Sequence, residues 1–137
     1  MGLVLDSSVL ITSERQRDPI GRVLAKLQAD HGETEVVISA ITVVELEHGL
    51  HRAESLSQVE RRRAYLDKIF TAIPVEPISK EIGQLVGRID AEARRRGEAI
   101  PFADLLIGGT ALHLGYGIVT LNPRHFRMIP GLRVLSL

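Results

Sequence analysis

Gly2-Leu3-Val4-Leu5-Asp6-Ser7-Ser8-Val9-Leu10-Ile11 is the stretch on which the reading of the fold turns. A short apolar run stops abruptly at an acid. Ser7 and Ser8 follow, both good N-cap residues, and then a second apolar group. This is a strand passing at once into a short helix, with a carboxylate at the junction. In open α/β sheets the carboxyl ends of strands are where sites form.

The same alternation continues outward. Ile20, Val23, Leu24 and Leu27 follow i, i+3, i+4, i+7, so a second helix begins near Pro19 and ends at His31-Gly32. Val36-Val37-Ile38 reads as strand two. Ser39 or Thr42 starts a helix carrying Val43, Val44, Leu46 and Leu50. Ser57 to Phe70 is a further helix, and Ala72 to Val75 carries a short strand signal. From Ser79 the stripe Ile82, Leu85, Val86, Ile89, Ala93 is strongly helical, and Gly97 ends it. A helix spans about Phe102 to Leu114. Ile118-Val119-Thr120 and Leu132 to Leu135 complete the strands, the last at an edge. Alternating strand and helix signals favour an α/β fold with a mostly parallel sheet of about five strands.

With 137 residues the expectation is one domain, 1–137, with a core large enough to stand unaided. There is no cysteine, which excludes disulfides, thiol catalysis and cysteine-ligated metal centres, and suits a reducing, cytoplasmic setting. No apolar run approaches the roughly 20 residues of a membrane span. Lys+Arg 17 balance Asp+Glu 17, which by itself argues against a general grip on nucleic acid.

Three acids sit oddly. Asp6 ends a strand, Glu45 lies inside Ile41-Thr42-Val43-Val44-Glu45-Leu46, and Asp104 is the only charge in Pro101-Phe102-Ala103-Asp104-Leu105-Leu106-Ile107. Each has an ordinary explanation. Asp6 can cap a helix, Glu45 can point to water, and Asp104 can complement a helix dipole. As a set, were they to converge, their repulsion would call for a cation. Oxygen-only ligands suit Mg²⁺ or Mn²⁺.

The chain resembles the PIN domain, and more narrowly the VapC-type ribonuclease toxins of toxin–antitoxin pairs. The resemblance covers nearly the whole chain and rests on Leu3 to Leu10, Ile38 to Leu46 with Gly49, Ile100 to Ile107, Ile118-Val119-Thr120-Leu121-Asn122-Pro123-Arg124-His125-Phe126, and Ile129 to Val134. It implies an α/β/α sandwich with acids at the C-terminal side of a parallel sheet. It also implies an Mg²⁺- or Mn²⁺-dependent endoribonuclease in which activated water attacks a phosphodiester in line. Asp6, Glu45 and Asp104 match the three core acids. Many relatives carry a fourth acid after the last motif strand, whereas this chain has Asn122 and His125 there. Asn122 is carried as a catalytic candidate, and one firmly held ion is expected. Ser7 and Thr120 match hydroxyl positions that can hydrogen-bond the acids or water. The resemblance further implies an RNA substrate, a VapB-like antitoxin and a homodimer. A PIN-like module that binds RNA or protein without cutting, and a PIN nuclease of RNA processing, are the alternatives.

Fourteen of the basic residues are arginine, concentrated at Arg61-Arg62-Arg63 and Arg94-Arg95-Arg96. These runs can bind phosphate or can be paired helix faces. Arg124, beside the presumed site, is the better single candidate for a substrate phosphate. His125 can contact phosphate, carry a proton, or be structural.

Overall fold

The computed structural model describes residues 1–14 and 19–137. Its elements run β1 (Gly2–Leu5), α1 (Ser7–Ser13), α2 (Pro19–His31), β2 (Glu35–Ser39), α3 (Ala40–His51), α4 (Leu56–Ala72), β3 (Val75–Glu76), α5 (Lys80–Arg95), α6 (Phe102–Leu114), β4 (Gly117–Val119), a 3-10 turn (Phe126–Met128) and β5 (Val134–Leu135). The strands form one sheet in the order β3-β2-β1-β4-β5, every pair parallel.

β1 is buried along its whole length because both faces of the sheet are covered. Its side chains alternate between two cores. Leu3 and Leu5 pack with α1, α2 and α4 through Leu10, Leu27 and Ile69. Val4 faces the other way, onto Ile107 and Ala111 of α6, with Phe126 beside them. α5 lies outside α6, burying Ile82, Val86, Ile89 and Ala93. Ser79 caps α5 by accepting a hydrogen bond from the Ile82 amide, and Arg94 and Arg95 sit at its C-terminal end, where the helix dipole favours cations.

α6 is apolar nearly all round, as a central helix must be. Its close packing depends on glycine. A Cβ on Gly109 would overlap the Val86 side chain, and one on Gly108 would overlap Ile129.

Two expectations shift. The strand signal at Ala72–Val75 resolves into the last residue of α4 and a two-residue strand at Val75–Glu76. Ile69, Ile73 and Leu66 have to be buried together, and that prolongs the helix. The last strand is shortened to Val134–Leu135, because Leu132 packs against α5 and α6 instead. On α4, Tyr65, Leu66 and Ile69 are buried and Val59 and Phe70 pack against the core, while Leu56 at its start is exposed.

Candidate active site

The strand order creates the site. From β1 the sheet grows through β2 and β3 on one side and through β4 and β5 on the other. Such a reversal leaves a crevice beyond the carboxyl ends of the central strands. Leu5 pairs with Val119, so Asp6 and Thr120 emerge side by side at that edge.

Asp6 stands at the N-cap position of α1, but its side chain makes no capping bond. Its Oδ2 accepts hydrogen bonds from Ser8 Oγ at 2.7 Å and Thr120 Oγ1 at 2.8 Å. Those hydroxyls accept in turn. Thr120 Oγ1 takes the Asn122 amide at 2.9 Å, and Ser8 Oγ takes the Leu121 amide at 3.1 Å. The carboxylate is thereby fixed, and the loop after β4 is tied to the start of α1. Asp6 is only 5 % exposed, and Oδ2 is committed to protein donors.

Glu45 on α3 and Asp104 in the first turn of α6 face Asp6 across a cavity of about 810 Å³. Asn122, Arg124, His125 and Arg127 close its other side. Burial raises the pKa of both Glu45 and Asp104, and the charge of Asp6 raises each further. The Ser7 hydroxyl offsets part of the shift at Glu45. At Asp104, His125 does so, with its Nδ1 3.0 Å from Oδ2. A carboxylate can only accept, so Nδ1 carries the proton of that bond. Among the described residues, Glu45 Oε1 is one of two buried side-chain polar atoms with no hydrogen-bond partner, Thr42 Oγ1 being the other.

The orphaned oxygen and the raised carboxylates bear on a cation. Their donor chemistry, oxygen alone, fits Mg²⁺ or Mn²⁺. No three His, Asp or Glu side chains among the described residues form a ready chelating group.

Thr120 and Ser7 each stand at an acid, as expected of these hydroxyls, but the second hydroxyl on Asp6 comes from Ser8. Thr120 is 1 % exposed, so it holds Asp6 and presents no surface to a strand of substrate. Ser8, not Ser7, is the hydroxyl that grips Asp6, and Ser7 sits beside Glu45. Ser8 went unnoticed because two serines before a helix read simply as caps. Its place two residues after an acid was the available signal. Arg127 was also missed, although it lies one turn beyond Arg124.

Because Glu45 is ionised at a cost, Glu45→Gln should raise the Tm of chelator-treated protein at neutral pH, by on the order of a few degrees. The folded pKa of Glu45 lies above its unfolded value, so wild-type stability falls as pH rises through that window. The advantage of Gln should therefore vanish as pH drops below the ordinary carboxylate range. A Tm difference that is flat across pH would show that Glu45 is not strained.

An acidic cavity at the switch point of a parallel α/β sheet, with hydroxyls holding Asp6 and an imidazole holding Asp104, has the donor chemistry of oxygen-ligand phosphate sites. The chain belongs to the PIN domain family, whose model matches residues 3–132. It is 30% identical over 136 residues to ribonuclease VapC1 of Rickettsia felis, covering 99% of this chain and 96% of that protein. It is 33% identical over 101 residues to the tRNA(fMet)-specific endonuclease VapC of Salmonella typhimurium, covering 74% of each. In structure it resembles the DNA-bound VapBC of Salmonella typhimurium, with a TM-score of 0.83 and 26% identity over 99% of this chain and 98% of that one.

Proposed function

We propose that this protein is a divalent-metal-dependent endoribonuclease and the VapC-like toxin of a toxin–antitoxin pair, acting as a single cytoplasmic domain. The observation that carries this reading is the meeting of Asp6, Glu45 and Asp104 on one cavity, with the buried Glu45 Oε1 left unpartnered. The relatives named as VapC ribonucleases support it.

Asp6 and Asp104 would hold the ion, with Glu45 ligating directly or through water. When bound, Mg²⁺ or Mn²⁺ would polarise the phosphodiester and lower the pKa of water in the cavity. The chain's own residues do the rest. Ser8 and Thr120 fix one oxygen of Asp6, which leaves the other for the cavity. His125 holds Asp104 in the same way. Glu45, with its raised pKa, is suited to accept a proton from an attacking water. Asn122 has a side chain at the cavity wall able to orient that water.

Two measurements test the proposal. Purified protein should cleave RNA with Mg²⁺ or Mn²⁺, lose cleavage in EDTA, and regain it when Mn²⁺ is returned. Transfer RNA, including the initiator species for which one relative is named, is the first substrate to try. Induced expression should arrest growth and create new RNA 5′ ends, and co-expression of the cognate antitoxin should relieve the arrest. Absence of arrest and of new ends would overturn the toxin reading.

A further inference from the structure

The two arginine runs, the obvious phosphate binders in the sequence, are largely occupied within the protein. Arg63 makes a two-pronged pair with Glu47 at 2.7 and 2.9 Å. Arg62 donates to the Gly49 carbonyl at 2.8 Å and lies 3.8 Å from Glu14. Arg94 pairs with Asp90, and Arg96 with Glu98, each at 3.1 Å.

Arg124 and Arg127 differ. Both line the acidic cavity, and neither side chain forms a hydrogen bond or ion pair among the described residues. They are held in register by the backbone. The Arg127 amide donates to the Pro123 carbonyl, and the amides of Met128 and Ile129 donate to His125 and Phe126. Phe126 at 1 % and Ile129 at 2 % exposure pin the inner side of this turn, while Arg124 and Arg127 are exposed. Arg124 lies in the turn just ahead of the 3-10 helix and Arg127 within it. Both arginines thus line the cavity that holds three acids, which alone would repel a polyanion.

We propose that Arg124 and Arg127 form a two-point clamp for the phosphate backbone of a single RNA strand, seating phosphates that flank the one in the acidic cavity. This rests on the nuclease reading above. Arginine forks suit phosphate oxygens. A clamp of two contacts gives local, weakly salt-dependent binding, as a chain with no net charge requires.

The test is binding of a fluorescein-labelled single-stranded RNA in EDTA, where no cleavage is expected, across a salt series. The log–log slope should become shallower by roughly 0.7 for Arg124→Ala or Arg127→Ala and by roughly 1.4 for the double variant. Arg124→Lys/Arg127→Lys should keep the slope. Arg94→Ala/Arg95→Ala removes the same charge from the end of α5 and should leave the slope unchanged. An unchanged slope in the Arg124/Arg127 double variant overturns the clamp, and so does an equal loss in the α5 control or no binding by wild type. Cleavage with divalent metal is scored separately. A slope change without cleavage upholds the clamp and sinks the nuclease reading. Cleavage with an unaltered slope does the reverse.

Discussion

Replacing Asp6 by Asn should abolish metal-dependent RNA cleavage, by about 100-fold or more, while the fold survives. The expected loss exceeds the ~10–100-fold typical of residues that only orient a metal ligand. Asp6 Oδ2 accepts from Ser8 and Thr120, and an amide oxygen in its place can accept both. Asn therefore keeps the network and removes only the charge and the free carboxylate oxygen. Ala removes the acceptor as well, leaving two hydroxyls unsatisfied where Asp6 is buried, at about 1–3 kcal/mol. Initial rates on labelled RNA with Mn²⁺, beside thermal melts, separate the two effects. Asn should cut like Ala but melt like wild type. An Asn variant that cuts at the wild-type rate would remove Asp6 from the site.

Phe126→Ala should be among the most destabilising single changes, costing about 3–5 kcal/mol. Phe126 is 1 % exposed and fills the core between sheet and α6, among Val4, Val37, Ile107 and Ile118. Native domains have only about 5–15 kcal/mol in hand, so the variant sits near the edge of folding. Its effect should reach the site, because the turn it anchors presents Arg124, His125 and Arg127 to the cavity. Phe126→Leu, which leaves a smaller void, should lose less. Urea unfolding reads both, and a cost below about 1 kcal/mol for Ala would contradict the anchoring role.

Much of the fold was legible because periodicity is local. The bounds of α6 at Phe102 and Leu114 follow from Pro101 before it and Gly115 after it, the latter at φ +71°. The ends of α4 and β5 were not legible. Whether α4 runs on to Ala72 with Ile73 as its buried cap, or Leu132 joins a strand, depends on which distant partners bury Ile73 and Leu132.

The same division holds for the site. Asp6, Glu45 and Asp104 stood out as acids beside apolar elements, and the motifs around them pointed to the PIN domain family that the comparison then showed. Ser8 and Arg127 did not stand out, and of the two readings open for the arginine runs the structure shows the paired one for Arg62, Arg63, Arg94 and Arg96. Pairing of Arg63 with Glu47 joins α4 to α3, and the bond from Thr120 to Asp6 spans 114 positions of chain. By itself the sequence determined which segments are strands and helices and which acids are out of place, because apolar spacing and single charges are properties of neighbours. Only the tertiary structure decided that those acids share a cavity, which hydroxyl holds Asp6, and which arginines are left for a ligand. These depend on the sheet reversing direction at β1, which brings the ends of β1 and β4 together with α3 and α6.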